Sequence, residues 1–301
     1  VPTPVLITDV LTDEARRTPH RMIEPHLLVL SPHLDDAVLS CGGLLSSLQP
    51  GVGATILTFF THAGRAPVTR AARSFVRQVG WSGDPESFYA ARRREDREAA
   101  DRIGATCEHA GLVDALFRPR DSGVLAGRIG SLLTPGLRRV LPELTYRYPS
   151  YRYDIARGRV SRGDRKLLKE LTSRIAERLD DLEPALVLSP LGIGRHVDHL
   201  LVREATVAAS AGRTGVVPAF YTDLPYALRH RPDPGTVHRH RLRPVTFPAG
   251  RPGKKALIAL YRTQVDALYP EGAPDTPDEY WWPPEPDPDV VLSQLSTVAA
   301  P

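Results

Sequence analysis

His26-Leu27-Leu28-Val29-Leu30-Ser31-Pro32-His33-Leu34-Asp35-Asp36 is the stretch from which the architecture can be read. Its apolar run is too short for a useful helix and stops at a proline, so it reads as a buried strand. Beyond it, Val38, Leu39, Leu44, Leu45 and Leu48 recur at helical spacing. Asp35 and Asp36 suit the positive end of a helix dipole, so residues 35–48 are expected to be helical. The opening unit is strand, tight turn, helix.

The same alternation continues along the chain. Further strands are expected at Ala54–Phe60, Thr106–Leu112, Ala185–Ser189, Val216–Tyr221 and Val237–Phe247. Helices are expected at Phe88–Ile103, Asp164–Asp181, Val197–Ala211 and Lys254–Tyr269. This order predicts an α/β, Rossmann-like, mostly parallel sheet flanked by helices. An irregular lead-in over residues 1–25, a polar loop reaching Pro85, an inserted irregular segment from Arg118 to Gly163 and an irregular C-terminal extension after about residue 270 complete the plan. No repeat or linker divides the chain, so residues 1–301 are read as a single domain.

Composition narrows the functions. A 301-residue chain can bury about three quarters of its unfolded surface. Its 42% hydrophobic and 25% charged content excludes a disordered tail or a coiled-coil rod. No run of about 18 apolar residues is present, which argues against a membrane span, and no basic segment followed by an apolar one opens the sequence, so a cytoplasmic location is expected. Cys41 and Cys107 are too few for a disulfide framework, so any metal is expected to be held by nitrogen and oxygen. The net charge of +4 is almost all arginine interleaved with acids, which predicts no nucleic-acid partner.

In parallel α/β sheets, ligands lie beyond the carboxyl ends of strands. Two such ends carry unusual residues: His33-Leu34-Asp35-Asp36 after the first strand, and His196-Val197-Asp198-His199 after the Ala185–Ser189 strand. Brought together, these supply the parts of a hydrolytic metal site. Catalytic zinc takes three nitrogen or oxygen ligands and leaves a fourth position for water, whose pKa falls toward about 7. His33, Asp36 and His199 can be the ligands, Asp35 is left beside the water as general base, and His196 remains to stabilise an oxyanion or protonate a leaving amine. Asp198 is open to two uses, orienting an imidazole or capping the helix.

At these residues the chain resembles the zinc-dependent de-N-acetylases of the PIG-L, or LmbE-like, family, whose motifs are usually His-Pro-Asp-Asp and His-Pro-Asp-His. Both prolines are replaced here, by Leu34 and Val197, with every donor retained. The likeness extends through Gly42-Gly43, the Arg92-to-Glu95 helix, the Tyr221–Tyr226 segment and Lys255–Gln264. It implies zinc, or Fe2+ or another divalent ion, on His33, Asp36 and His199, with Asp35 as base, His196 at the transition state and Arg92 on the substrate side. The implied reaction removes an acetyl group from an amino sugar or sugar-bearing small molecule, such as a natural-product or thiol-glycoside intermediate. Some relatives carry a tyrosine two residues before the second motif; here Gly194 stands there, with Arg195 or the tyrosines near Tyr146–Tyr153 as substitutes.

Other readings stay open. The same family includes amidases for larger amides or thiol conjugates. Two histidines and a carboxylate also form the site of non-haem Fe(II) oxygenases, although the extra Asp35 favours hydrolysis. Arg92, Arg93 and Arg94 with Glu95, Asp96 and Glu98 read most simply as a solvated helical face, and Cys41 as a small core residue.

Overall fold

A computed structural model describes residues 24–64, 69–119, 146–148, 150, 155–158, 160–248 and 250–296. The first strand, β1 (His26–Ser31), feeds α1 (Asp36–Leu45) as expected. Then come β2 (Gly53–His62), α2 (Arg70–Gln78), α3 (Pro85–Arg102), β3 (Thr106–Val113), α4 (Arg165–Leu182), β4 (Leu186–Pro190), α5 (Val197–Ser210) and β5 (Pro218–Tyr221). The chain ends with α6 (Pro234–Arg239), β6 (Arg243–Phe247), α7 (Arg251–Ile258), α8 (Val265–Leu268), β7 (Asp278–Trp282) and α9 (Pro288–Leu295).

The seven strands lie in the order β3-β2-β1-β4-β5-β7-β6. β1 to β5 are mutually parallel, whereas β7 runs antiparallel to both β5 and β6. β1 explains why its sequence reads as a continuous apolar run. Leu27 and Val29 pack with Cys41, Leu44 and the C-terminal strands on one face, while Leu28 and Leu30 pack with Leu171, Ile175 and Leu201 on the other. A parallel strand covered on both sides has no polar face to show. Burying each such leucine stabilises the fold by about 1.5–3 kcal/mol.

Several local expectations differ from the structure, and three of the helix starts involved share a chemical reason. The polar loop before Pro85 contains α2; Val237–Phe247 splits into α6 and the shorter β6; and the extension after residue 270 is ordered as β7 and α9. Asp84-Pro85, Asp233-Pro234 and Asp287-Pro288 each place an aspartate at the N-cap, accepting from a backbone N–H of the first turn, and a proline just inside the helix. Proline costs nothing there, since its missing N–H has no intrahelical partner to lose. The expected helix Lys254–Tyr269 is also broken, because Thr263 donates its N–H to the Glu95 carboxylate at 3.1 Å. Most of the Arg118–Gly163 insertion, including Tyr151 and Tyr153, and almost all of the 1–25 lead-in lie outside the described residues.

β7 was hidden in the sequence because its inward positions are Asp278, Tyr280 and Trp282. Asp278 is buried yet charged-paired: it accepts from Lys254 Nζ at 2.8 Å and from the Leu44 N–H of α1 at 2.8 Å. Gly250, at φ +73°, lets the start of α7 come against α1, where a Cβ would stand 2.0 Å from the Gly43 carbonyl oxygen. The C-terminal strand is thereby tied to the helix that carries Asp36. Lys254→Met leaves Asp278 buried without its cation and is expected to lower unfolding free energy by about 3–5 kcal/mol, measured by urea denaturation.

Candidate metal centre

In the sheet order, the chain leaves β1 toward β2 on one side and reaches β4 on the other, so the crevice between β1 and β4 is the switch point. Both motifs open there. The turn after β1 delivers His33, Asp35 and Asp36; the loop after β4 delivers His196 at the N-cap of α5, with Asp198 and His199 in its first turn. All six are buried.

One oxygen joins the two motifs. Asp36 Oδ2 lies 3.1 Å from His33 Nδ1 and 3.3 Å from His199 Nε2, and it also accepts the His33 N–H at 2.9 Å. Burial alone would raise the Asp36 carboxyl, but His199 and His33 overcome it and hold the group well below the usual carboxylate range. His199 Nδ1 sits 2.6 Å from Asp223 Oδ1, while its Nε2 is buried with no hydrogen-bond partner among the described residues. Burial opposes charge on this ring; Asp36 and then Asp223 outweigh it and lift the imidazole to about 9. A proton and a cation compete for that nitrogen.

These donors fit a divalent ion. Tetrahedral ligands at about 2.0–2.1 Å from a metal stand about 3.3–3.4 Å apart, close to the separations found around Asp36 Oδ2. Both histidines are also held through their second nitrogen by carboxylates, the arrangement that fixes ring orientation and basicity in metal sites. Asp223 does this for His199. For His33, Asp198 Oδ2 lies 3.3 Å from Nε2 and Asp114 Oδ2 3.5 Å away.

Of the two uses open to Asp198, the structure shows contact with an imidazole, and that imidazole is His33. The carboxylate is further fixed by Arg118 and by the Ala115 N–H at 2.9 Å. The N-cap is His196, whose Nδ1 accepts the Asp198 N–H at 3.3 Å, placing the ring proton on Nε2. Burial, and then the neighbouring His33, keep His196 well below its ordinary pKa and therefore neutral.

Arg92 corrects the expectation of a solvated face. It is buried on α3 with Glu95 and Asp96, its Nη2 is 3.3 Å from Asp35 Oδ1, and its guanidinium lies over the Phe88 and Tyr89 rings. Burial pushes Asp35 up to about 6 despite the opposing pull of Arg92. A cleft lined by His33, Asp35, Asp36, Arg92, His196 and Tyr226 opens over these groups. Arg195, Tyr146 and Tyr148, the described substitutes for the missing tyrosine, do not line the cleft. Arg195 points to solvent, and Tyr146 and Tyr148 are buried in a hydrophobic cluster. The space above Gly194 is instead filled by Tyr226, whose ring atoms would stand 2.6–2.7 Å from a Cβ at that glycine.

Asp114, Arg118 and Asp223 were missed as site residues. A signal existed: Asp114 directly follows β3, and Asp223 stands just past β5, both at carboxyl ends of parallel strands. Asp223 also accepts from the Gly192 and Ile193 amides, each at 2.9 Å, which gives the glycine-punctuated loop its task.

An open, mostly parallel sheet with a buried His/Asp cluster at its switch point makes this an α/β protein with a candidate metal-binding donor set. Residues 28–210 match the family described as PIG-L: GlcNAc-PI de-N-acetylase, and the chain belongs to that family of deacetylases. It is 32% identical over 223 residues to 2'-N-acetylparomamine deacetylase of Streptomyces fradiae, a match covering 72% of this chain and 64% of that relative's length. Among solved structures, the zinc-inhibited form of teicoplanin deacetylase Orf2 is similar at TM-score 0.63 and 25% identity, covering 85% of this chain and 97% of the other. The A40926 pseudoaglycone deacetylase Dbv21 is similar at TM-score 0.60 and 25% identity, over 86% and 97%.

Removing the carboxylate behind His199 tests the fit. Asp223→Ala is expected to weaken divalent-metal affinity about 10–100-fold, read by competition with a chromogenic chelator.

Proposed function

We propose that this chain is a divalent-metal-dependent N-deacetylase that acts on an N-acetylated amino sugar carried by a small natural product, releasing acetate and a free amine. The observation that carries the metal reading is His199: one ring nitrogen is engaged by Asp223, and the other is buried, unbonded among the described residues and 3.3 Å from Asp36. Support for the substrate class comes from the relatives, named for acetylparomamine, teicoplanin and A40926 pseudoaglycone. Membership of a de-N-acetylase family favours hydrolysis over the oxygen chemistry that the same ligand types permit.

His33, Asp36 and His199 would hold the cation. When bound, it supplies Lewis-acid polarisation of a carbonyl and an acidified water. Zinc, Fe2+ or another divalent ion suits these donors. Asp35 is the general base: a buried carboxylate pushed up to about 6 is ionised at neutral pH yet basic enough to take a proton from water. Arg92 holds Asp35 in its charged form and lines the substrate cleft. His196 is neutral with its proton on Nε2, so it donates a hydrogen bond where negative charge develops on the acetyl oxygen. Asp198 positions His33, and the proton gathered by Asp35 passes to the departing amine.

The direct experiment is an acetate-release screen over N-acetylated amino sugars, free and linked to natural-product aglycones. Metal-stripped protein is expected to be inactive and to recover when a divalent ion is restored; full activity after complete stripping refutes the mechanism. Asp35→Asn is expected to lower turnover about 10²–10⁴-fold with metal content unchanged. Because only ionised Asp35 accepts a proton, rate should rise with pH and level off above an apparent pKa at or below about 6.

A further inference from the structure

Away from the histidine cluster, α3 and the edge strand β3 bring together a second set of donors. Cys107 and His109 alternate along β3 and so face the same side, toward Asp96 on α3. His109 Nε2 is 2.9 Å from Asp96 Oδ2, Cys107 Sγ is 3.3 Å from His109 Nε2, and Cys107 Sγ is 3.7 Å from Asp96 Oδ2. Asp96, Cys107 and His109 form no compact sequence motif, and the sheet and α3 bring them together.

We propose that Asp96, Cys107 and His109 form a second metal site, selective for a borderline-soft divalent ion such as zinc. With zinc–sulfur bonds of about 2.3 Å and zinc–nitrogen or zinc–oxygen bonds of about 2.0–2.2 Å, tetrahedral geometry sets sulfur about 3.5–3.6 Å from the other two donors. The two sulfur separations, 3.3 and 3.7 Å, bracket that value. The His109–Asp96 pair must open by about half an ångström and the Cys107–His109 pair by about 0.2–0.3 Å.

The carboxylate is held in place for this role. Tyr261 donates to Asp96 Oδ1 at 2.8 Å and Thr58 donates to Oδ2 at 3.1 Å, so Asp96 is oriented by its surroundings as metal-ligating carboxylates are. Sulfur, nitrogen and oxygen together favour zinc, cobalt or cadmium over magnesium or calcium. On binding, the thiol proton leaves to solvent, the imidazole proton moves from Nε2 to Nδ1, and no atom changes oxidation state. The fourth position is left for water. β3 is two strands from β1, about 10 Å across the sheet, and the two donor sets share no atom.

The sulfur makes the site separately visible, since the histidine cluster has none. Metal-stripped full-length protein titrated with Co2+ is expected to take up two equivalents, one of them producing thiolate-to-cobalt charge-transfer absorption in the near ultraviolet. Cys107→Ser should abolish that band and one equivalent while keeping the second equivalent and acetate release. His33→Ala should remove the other equivalent and leave the band. His109→Gln, which retains the thiol, should weaken the Co2+ affinity of the band at least tenfold, and it serves if Cys107→Ser fails to fold by circular dichroism. Absence of the band in the wild-type chain, or its survival in Cys107→Ser, overturns the proposal and leaves the histidine-cluster assignment standing.

Discussion

The site depends on one carboxylate oxygen shared between two imidazoles from opposite sides of a crevice. Asp36 Oδ2 faces His33 from its own turn and His199 from α5, and this is where the two motifs become one constellation. Neither histidine is poised by itself. Each is held through its far nitrogen by a further carboxylate, Asp198 for His33 and Asp223 for His199, and those acids are fixed in turn by Arg118 and by loop amides. Burying this much charge is costly unless every group is paired. The lattice of partners around the cluster meets most of that demand and leaves His199 Nε2, together with Arg92 Nε, without a hydrogen bond among the described residues.

The same constraint explains why charges on α3 turn inward. Arg92 meets Asp35, Glu95 receives the N–H and hydroxyl of Thr263, and Asp96 gathers Thr58, Tyr261 and His109. One helix therefore sets the charge beside the proposed base, interrupts the C-terminal helical segment and orients the donors next to Cys107. Lys254 and Asp278 do similar work at the other end of α1, tying the antiparallel strands to the element that presents Asp36.

The framework was legible because strand periodicity and strand ends are local properties. β1, β2, β4 and α5 stand where pattern placed them; His33, His196 and His199 come together from two strand ends, and Asp36 lies against His33 and His199. Less legible were segments whose local chemistry has two meanings. An Asp-Pro pair marks a loop or opens a helix, and β7 carries an inward aspartate that breaks the apolar alternation of a strand. Arg92 and Asp96 looked like solvated charges because their partners, Asp35 and Tyr261, lie far away along the chain.

By itself, the order of residues determined the α/β class, the strand ends that carry chemistry and the donor types available there, since each follows from backbone geometry over a few neighbouring positions. Only the tertiary structure decided which donors face one another, that Asp198 serves His33, that Asp223 completes His199, and that Cys107 joins His109 and Asp96. Those pairings depend on sheet order and helix packing, which bring distant segments within bonding distance and exclude the water that would otherwise hold their charges apart.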